Sequence, residues 1–162
     1  MKILITGSAG FIGSHLAQRL ISEGHSVLAL DDLSTGNEKN ISGLKNDPSF
    51  QFVQGSMLDE QLVRSLMEKV DGCMHLGAAL GVQRILERPY ASLVANTQGT
   101  EIAVKAAADL GKRFFLASTS ELYGKNPIQP LTEESDRVIG SPQLVRWAYS
   151  EAKAIDESVV QM

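Results

Sequence analysis

Apolar residues follow two rhythms along the chain. Short runs that end at glycine or aspartate predict buried strands, and longer stretches with apolar residues three and four apart predict helices. KILIT (2–6) predicts the first strand, and GFIGSHLAQRLISEG (10–24) the first helix, stopped by Gly24. HSVLALD (25–31) predicts a second buried strand. Residues 32–49 hold turn-formers throughout and predict a long surface loop. FQFVQG (50–55) alternates as a strand does, LDEQLVRSLMEKV (58–70) is an amphipathic helix, and GCMHLGAA (72–79) predicts a fourth strand. PYASLVANTQGTEIAVKAAADLG (89–111) predicts a long helix, with Pro89 at its start and Gly111 at its end. KRFFLAST (112–119) predicts the fifth strand. An irregular stretch follows to about Ser141, and then a last helix that carries Tyr149 and Lys153.

Strands alternating with helices predict the α/β class, with a doubly wound parallel sheet and helices on both faces. Ligands of such sheets gather at the carboxyl ends of the strands. Gly7, Asp31, Ser56, His75 and Thr119 each follow a predicted strand, so the polar exceptions to the apolar pattern share one end of the sheet.

Composition narrows the class. The 162 residues suffice for one domain with a core of its own, and 43% apolar with 21% charged residues describes a globular chain. A net charge of -4 without blocks of like charge argues against a nucleic-acid surface. Cys73 is the single cysteine, which excludes an internal disulfide framework and favours the cytosol. The opening MKILITGSAG has no charged-then-apolar leader, and no run reaches the length of a membrane span. A cytoplasmic protein is therefore expected, with no nucleic acid and no membrane as partner.

Chemistry enters at the first turn. TGSAGFIG sets Gly7, Gly10 and Gly13 between strand and helix. A pyrophosphate bound at a helix N-terminus needs exposed backbone amides, which side chains at the first two positions would obstruct, while Gly13 would let the helix pack close on the sheet. The alternative is a tight turn without a ligand. Asp31 ends the second strand. A carboxylate there accepts hydrogen bonds from ribose hydroxyls and repels a 2′-phosphate, favouring NAD over NADP. The alternative is a turn-capping aspartate, a role open equally to Asp32. Near the end of the chain, Tyr149 and Lys153 lie four apart and so share a helix face. A free phenol, with a pKa near 10, is too weak an acid to serve as a base at neutral pH; an ammonium nearby and a positive nicotinamide ring would both favour phenolate. The alternative is an ordinary tyrosine and a solvated lysine. Cys73, His75 and Glu121 match no zinc spacing, and no metal is expected.

The Gly-x-x-Gly-x-x-Gly turn, DDLSTGN (31–37), HLGAA (75–79), NTQGT (96–100), STSELYG (118–124) and YSEAK (149–153) occur in the order found in the extended short-chain dehydrogenase/reductase family. The chain resembles the NAD-dependent nucleotide-sugar epimerase/dehydratase branch of that family over its whole length. The resemblance implies a Rossmann fold with NAD as a retained reagent. It implies that Gly7, Gly10, Phe11, Ile12 and Gly13 line the cofactor, with Asp31, Asp32, Ser34 and Gly36 beside the adenosine. It further implies cofactor contacts from Ser56, Met57, Leu76, Gly77, Ala78 and Asn96. Tyr149 is implied as the base that takes a sugar hydroxyl proton, Lys153 as the residue that touches the nicotinamide ribose and lowers the tyrosine pKa, and Thr119 as a hydrogen-bond partner of the reacting oxygen. Ser120 and Glu121 follow it as the pair that distinguishes reactions. Where the family usually has Gly-Asp after the third strand, this chain has Gly55-Ser56, an uncharged replacement.

The implied activity is 4-epimerisation of a UDP-hexose through a transient 4-keto sugar. Decarboxylation of UDP-glucuronate and 4,6-dehydration are the alternatives, and a non-catalytic NAD-binding fragment or interaction module stands beside them. A homodimer is implied. By the same resemblance, a C-terminal substrate domain is expected to be missing, leaving residues 1–162 as the NAD-binding domain with little turnover alone.

Overall fold

A computed structural model describes residues 1–79, 87 and 89–162. Five parallel strands are described: β1 (Lys2–Thr6), β2 (Ser26–Asp31), β3 (Phe50–Gln54), β4 (Gly72–His75) and β5 (Arg113–Leu116). They lie in the order β3-β2-β1-β4-β5. Helices α1 (Phe11–Ser22), α2 (Glu60–Met67), α3 (Pro89–Asp109) and α4 (Ala148–Gln161) follow or connect them. This is the doubly wound α/β fold that the alternation predicts.

The central strands are apolar at consecutive positions because both faces of the sheet are covered. Ile3, Ile5, Val27 and Ala29 point to one face, where they meet Ala17 of α1 and Ile41. Leu4, Leu28 and Leu30 point to the other, against Val63, Leu66 and Met67 of α2 and Ala103, Ala106 and Ala107 of α3. Those alanines let the long helix close on the sheet. Register places Leu4 opposite both Leu28 and Cys73, so each layer of the core is continuous across three strands. Asp59 caps α2, its carboxylate accepting from the Leu62 amide at 3.0 Å. α4 packs along α3.

The elements depart from the sequence pattern at their ends. The strand predicted over 72–79 stops at His75, and that predicted over 112–119 stops at Leu116; each is followed by one more cross-strand bond, Leu76 amide to Thr6 carbonyl and Ala117 amide to His75 carbonyl, before the chain leaves the sheet. The segment read as a surface loop, 32–49, contains a 3-10 helix at Glu38–Leu44, which the Asn37 side chain caps and whose Ile41 is fully buried. Ile41 and Leu44, set among turn-formers, make too short a pattern to show a period, so the sequence concealed it. A further 3-10 turn at Ser120–Tyr123 interrupts the stretch read as irregular, and another at Val145–Trp147 leads directly into α4.

Candidate functional site

The β1–α1 turn is built around absent side chains. Gly7 has φ +68°, and a Cβ there would lie 2.8 Å from the Gly77 nitrogen. At Gly13 a Cβ would lie 2.2 Å from the Gly7 carbonyl oxygen. That glycine therefore brings α1 close to the turn itself rather than to the sheet. Gly10 precedes α1 as its N-cap without any side-chain cap, and Phe11 and Ile12 project into solvent.

Asp31, at the end of β2, is 8% exposed. Its carboxylate accepts from the Ala9 amide at 2.9 Å and from the Leu33 amide at 2.8 Å. A Cβ on Gly36 would meet the same carboxylate at 2.8 Å. The Ala9 carbonyl in turn accepts from the Asn37 amide at 3.0 Å and the Asn40 side chain at 2.8 Å. Asp31 thus ties the glycine turn to the segment after β2, and it still borders the cleft between them. Asp32 caps its own turn, accepting from the Ser34 amide at 2.8 Å.

The cleft runs over the strand ends. Of the residues singled out in the sequence, Gly7, Asp31, Asp32, Ser34, Met57, Gly77 and Ala78 line it, together with Thr6, Thr35 and Ala95. The Ser56 hydroxyl accepts from the Leu58 amide at 3.1 Å in an exposed local turn, and Met57 lines the cleft. The Met57 sulfur rests near Gly77 and Gly99, where added Cβ atoms would lie 3.1 and 3.0 Å from it. Asn96 is 2% exposed and clamps the chain beyond β4: its Oδ1 accepts from the Ala79 amide at 2.7 Å. It shapes the cleft wall from behind. Leu76 packs partly into the core, its amide donating to the Thr6 carbonyl.

His75 has no exposed surface. Thr100 donates its single hydroxyl proton to the Asn96 carbonyl at 2.9 Å, so His75 Nε2–H donates to the Thr100 hydroxyl at 3.3 Å. His75 Nδ1 then accepts from the Thr6 hydroxyl at 2.9 Å, and Thr6 also accepts from the Gly77 amide at 3.0 Å. Burial, and after it the charge of Lys153, lower the His75 pKa to about 3. The ring is neutral and both its nitrogens are engaged, which leaves it unsuited to a metal.

A second group lies between α3, α4 and the turn after β5. Thr119 caps that turn, its hydroxyl accepting from the Glu121 amide at 3.2 Å. The buried Ser150 donates to the Glu121 carbonyl at 2.9 Å, so α4 is fastened to the Thr119–Glu121 segment beside Tyr149; Ser120 and Glu121 are exposed. The alternative of a solvated lysine fails: Lys153 Nζ lies 3.2 Å from Asp156 Oδ2, with both side chains at most 3% exposed. In the cofactor-free chain Tyr149 is not shifted toward phenolate. Burial pushes its hydroxyl up, and the carboxylates of Glu121 and Asp156 push it further. The lysine charge expected to act on the phenol is matched by an acid one turn along the same helix. Asp156 and Thr100 escaped the sequence reading, although the three-residue spacing from Lys153 to Asp156 was available as a signal.

Comparison with known proteins adds names to this geometry. The family described as GDP-mannose 4,6 dehydratase matches residues 4–162. A UDP-N-acetyl-alpha-D-glucosaminuronate decarboxylase of Bacillus cytotoxicus is 36% identical over 158 residues, covering 98% of this chain and 48% of its own length. A UDP-glucose 4-epimerase of Mycolicibacterium smegmatis is 37% identical over 137 residues, covering 83% of this chain and 44% of its own. The solved dTDP-glucose 4,6-dehydratase DesIV of Streptomyces venezuelae, which holds NAD, superimposes with a TM-score of 0.87 at 32% identity, covering 98% of this chain and 50% of that one. The chain therefore spans about half the length of the relatives it matches.

Proposed function

The chain belongs to the NAD-dependent epimerase/dehydratase family of nucleotide-sugar enzymes, and on that premise we propose that it is the cofactor-binding half of such an enzyme. One observation carries the reading. Side chains are sterically barred at Gly7 and Gly13, so the turn presents bare backbone to a cleft bordered by a buried carboxylate. NAD, when bound, supplies a hydride acceptor for a sugar carbinol carbon. The amides at the start of α1 hold its pyrophosphate, and Asp31 uses its remaining lone pairs on the adenosine ribose. Tyr149 takes the proton of the sugar hydroxyl, Thr119 holds the oxygen it leaves, and Lys153 orients the nicotinamide ribose.

The activity we assign is 4-epimerisation of a UDP-hexose through a 4-keto sugar. Decarboxylation of a UDP-linked uronic acid is the second reading. It is favoured by Glu121, whose carboxylate acts electrostatically on Tyr149, and by the Bacillus cytotoxicus relative. Incubation of the chain with NAD and UDP-galactose or UDP-glucuronate, followed by NMR, separates these. Conversion of UDP-galactose that disappears in Tyr149→Phe supports epimerase, and carbon dioxide from UDP-glucuronate supports decarboxylase. Tight NAD binding without turnover supports a cofactor half alone, and failure to bind NAD overturns the proposal.

A further inference from the structure

Asp156 has no part in the function proposed so far, yet its environment is specific. Its side chain is 1% exposed in the contact of α4 with α3, and Lys153 Nζ stands 3.2 Å from Oδ2. The approach is an ion pair without hydrogen-bond alignment, so Oδ2 is a buried oxygen with no hydrogen bond among the described residues. A buried carboxylate in that state is costly, and an acid retained there has a charge to answer. Thr100, which also meets His75, is the neighbour from α3. His75 is neutral, so Lys153 is the cation that faces Asp156 among the described groups.

We propose that Asp156 is a positioning residue: its carboxylate seats the Lys153 ammonium in the α3–α4 contact and so sets the charge that Tyr149 meets one turn away. The proposal rests on the reading of Tyr149 and Lys153 as the reacting pair. The charged groups acting on Tyr149 are Glu121 from the turn after β5 and Asp156 from its own helix. With the lysine matched by Asp156, the phenol stays protonated in the cofactor-free chain. Bound NAD would supply a positive ring beside Tyr149 and so would favour phenolate where the hydride acceptor is seated.

The test is ultraviolet titration of the tyrosinate band in the ligand-free chain, with Tyr149→Phe subtracted to isolate this phenol from Tyr90 and Tyr123. Asp156→Asn removes a negative charge, and Tyr149 is expected to ionise about one pH unit lower. Asp156→Glu is expected to restore the original titration. A folded Asp156→Asn chain with an unmoved phenol overturns the proposal. If that variant does not fold, the wild-type protein decides: the Lys153 ammonium protons, buried in the ion pair, should exchange slowly at neutral pH in NMR. A rapidly exchanging ammonium overturns it equally. Addition of NAD is a separate arm. A phenol that ignores NAD while responding to Asp156→Asn defeats the functional reading and leaves the positioning role intact.

Discussion

Lowering the pH should unload stability through one residue, His75. An unfolded histidine titrates near 6.5, whereas this one is held to about 3, chiefly by burial and secondarily by Lys153. Between those values the unfolded chain binds a proton that the folded chain refuses, so stability falls as pH falls through 6.5 and goes on falling toward 3. At pH 5 the unfolded form lies about 1.5 units below its pKa, which at about 1.36 kcal/mol per unit is about 2 kcal/mol lost relative to pH 7.5. Carboxylates titrate in the same range, so the wild-type curve alone does not isolate the effect. His75→Gln keeps a donor near Thr100 and cannot be protonated, which makes it the reference. Urea unfolding followed by circular dichroism at pH 7.5 and 5.0 gives four free energies. The glutamine variant should be less stable at pH 7.5, because Thr6 loses its acceptor, and the gap should close by about 2 kcal/mol at pH 5.0. Curves that stay parallel within about 0.5 kcal/mol would refute the neutral, hydrogen-bonded histidine.

Other expectations follow from the same geometry. Gly13→Ala places a carbon against the Gly7 carbonyl, so NAD affinity measured by calorimetry should fall at least about tenfold, with a lower thermal midpoint. Asp31→Ala should narrow the preference for NAD over NADP. Since it also strips acceptors from Ala9 and Leu33, it should lower folding stability by about 3 kcal/mol in urea titrations. Tyr90 and Leu93 on α3 and Ile155 on α4 are exposed, and a symmetric homodimer through these helices should appear in light scattering at micromolar concentration; monomer alone would contradict it.

The central strands were legible because parallel strands covered on both faces are apolar at consecutive positions, and the edge strand at 50–54 was legible by its alternation instead. Gly7, Gly13 and Asp31 were legible because a tight turn into a helix restricts residue choice strongly. What the sequence withheld depends on contacts between distant segments. Nothing near Asn40 indicates that its amide reaches Ala9, and nothing near Thr100 indicates His75. Ser56 differs in kind. Its residue type suggested a polar contact with a ligand, and the structure adds a local bond that spacing did not announce, from the amide two residues on to its hydroxyl. The Lys153–Asp156 pair was missed for a related reason: helical spacing was used only to show that Lys153 shares a face with Tyr149, and Asp156 lies on that face as well.

The double attachment of Asp31 restricts how cofactor preference can evolve. A single substitution that welcomes a 2′-phosphate also releases Ala9 and the left-handed backbone at Leu33, which has φ 60°. The intermediate genotype would lose the shape of the pocket before gaining a new ligand. A path to NADP must therefore first acquire another tether between the glycine turn and the segment after β2, for instance by strengthening the Asn40 side-chain bond to Ala9. Epistasis of this kind makes the order of mutations matter. Combinatorial libraries that vary positions 31 and 40 together should yield NADP-preferring variants that libraries randomising position 31 alone do not.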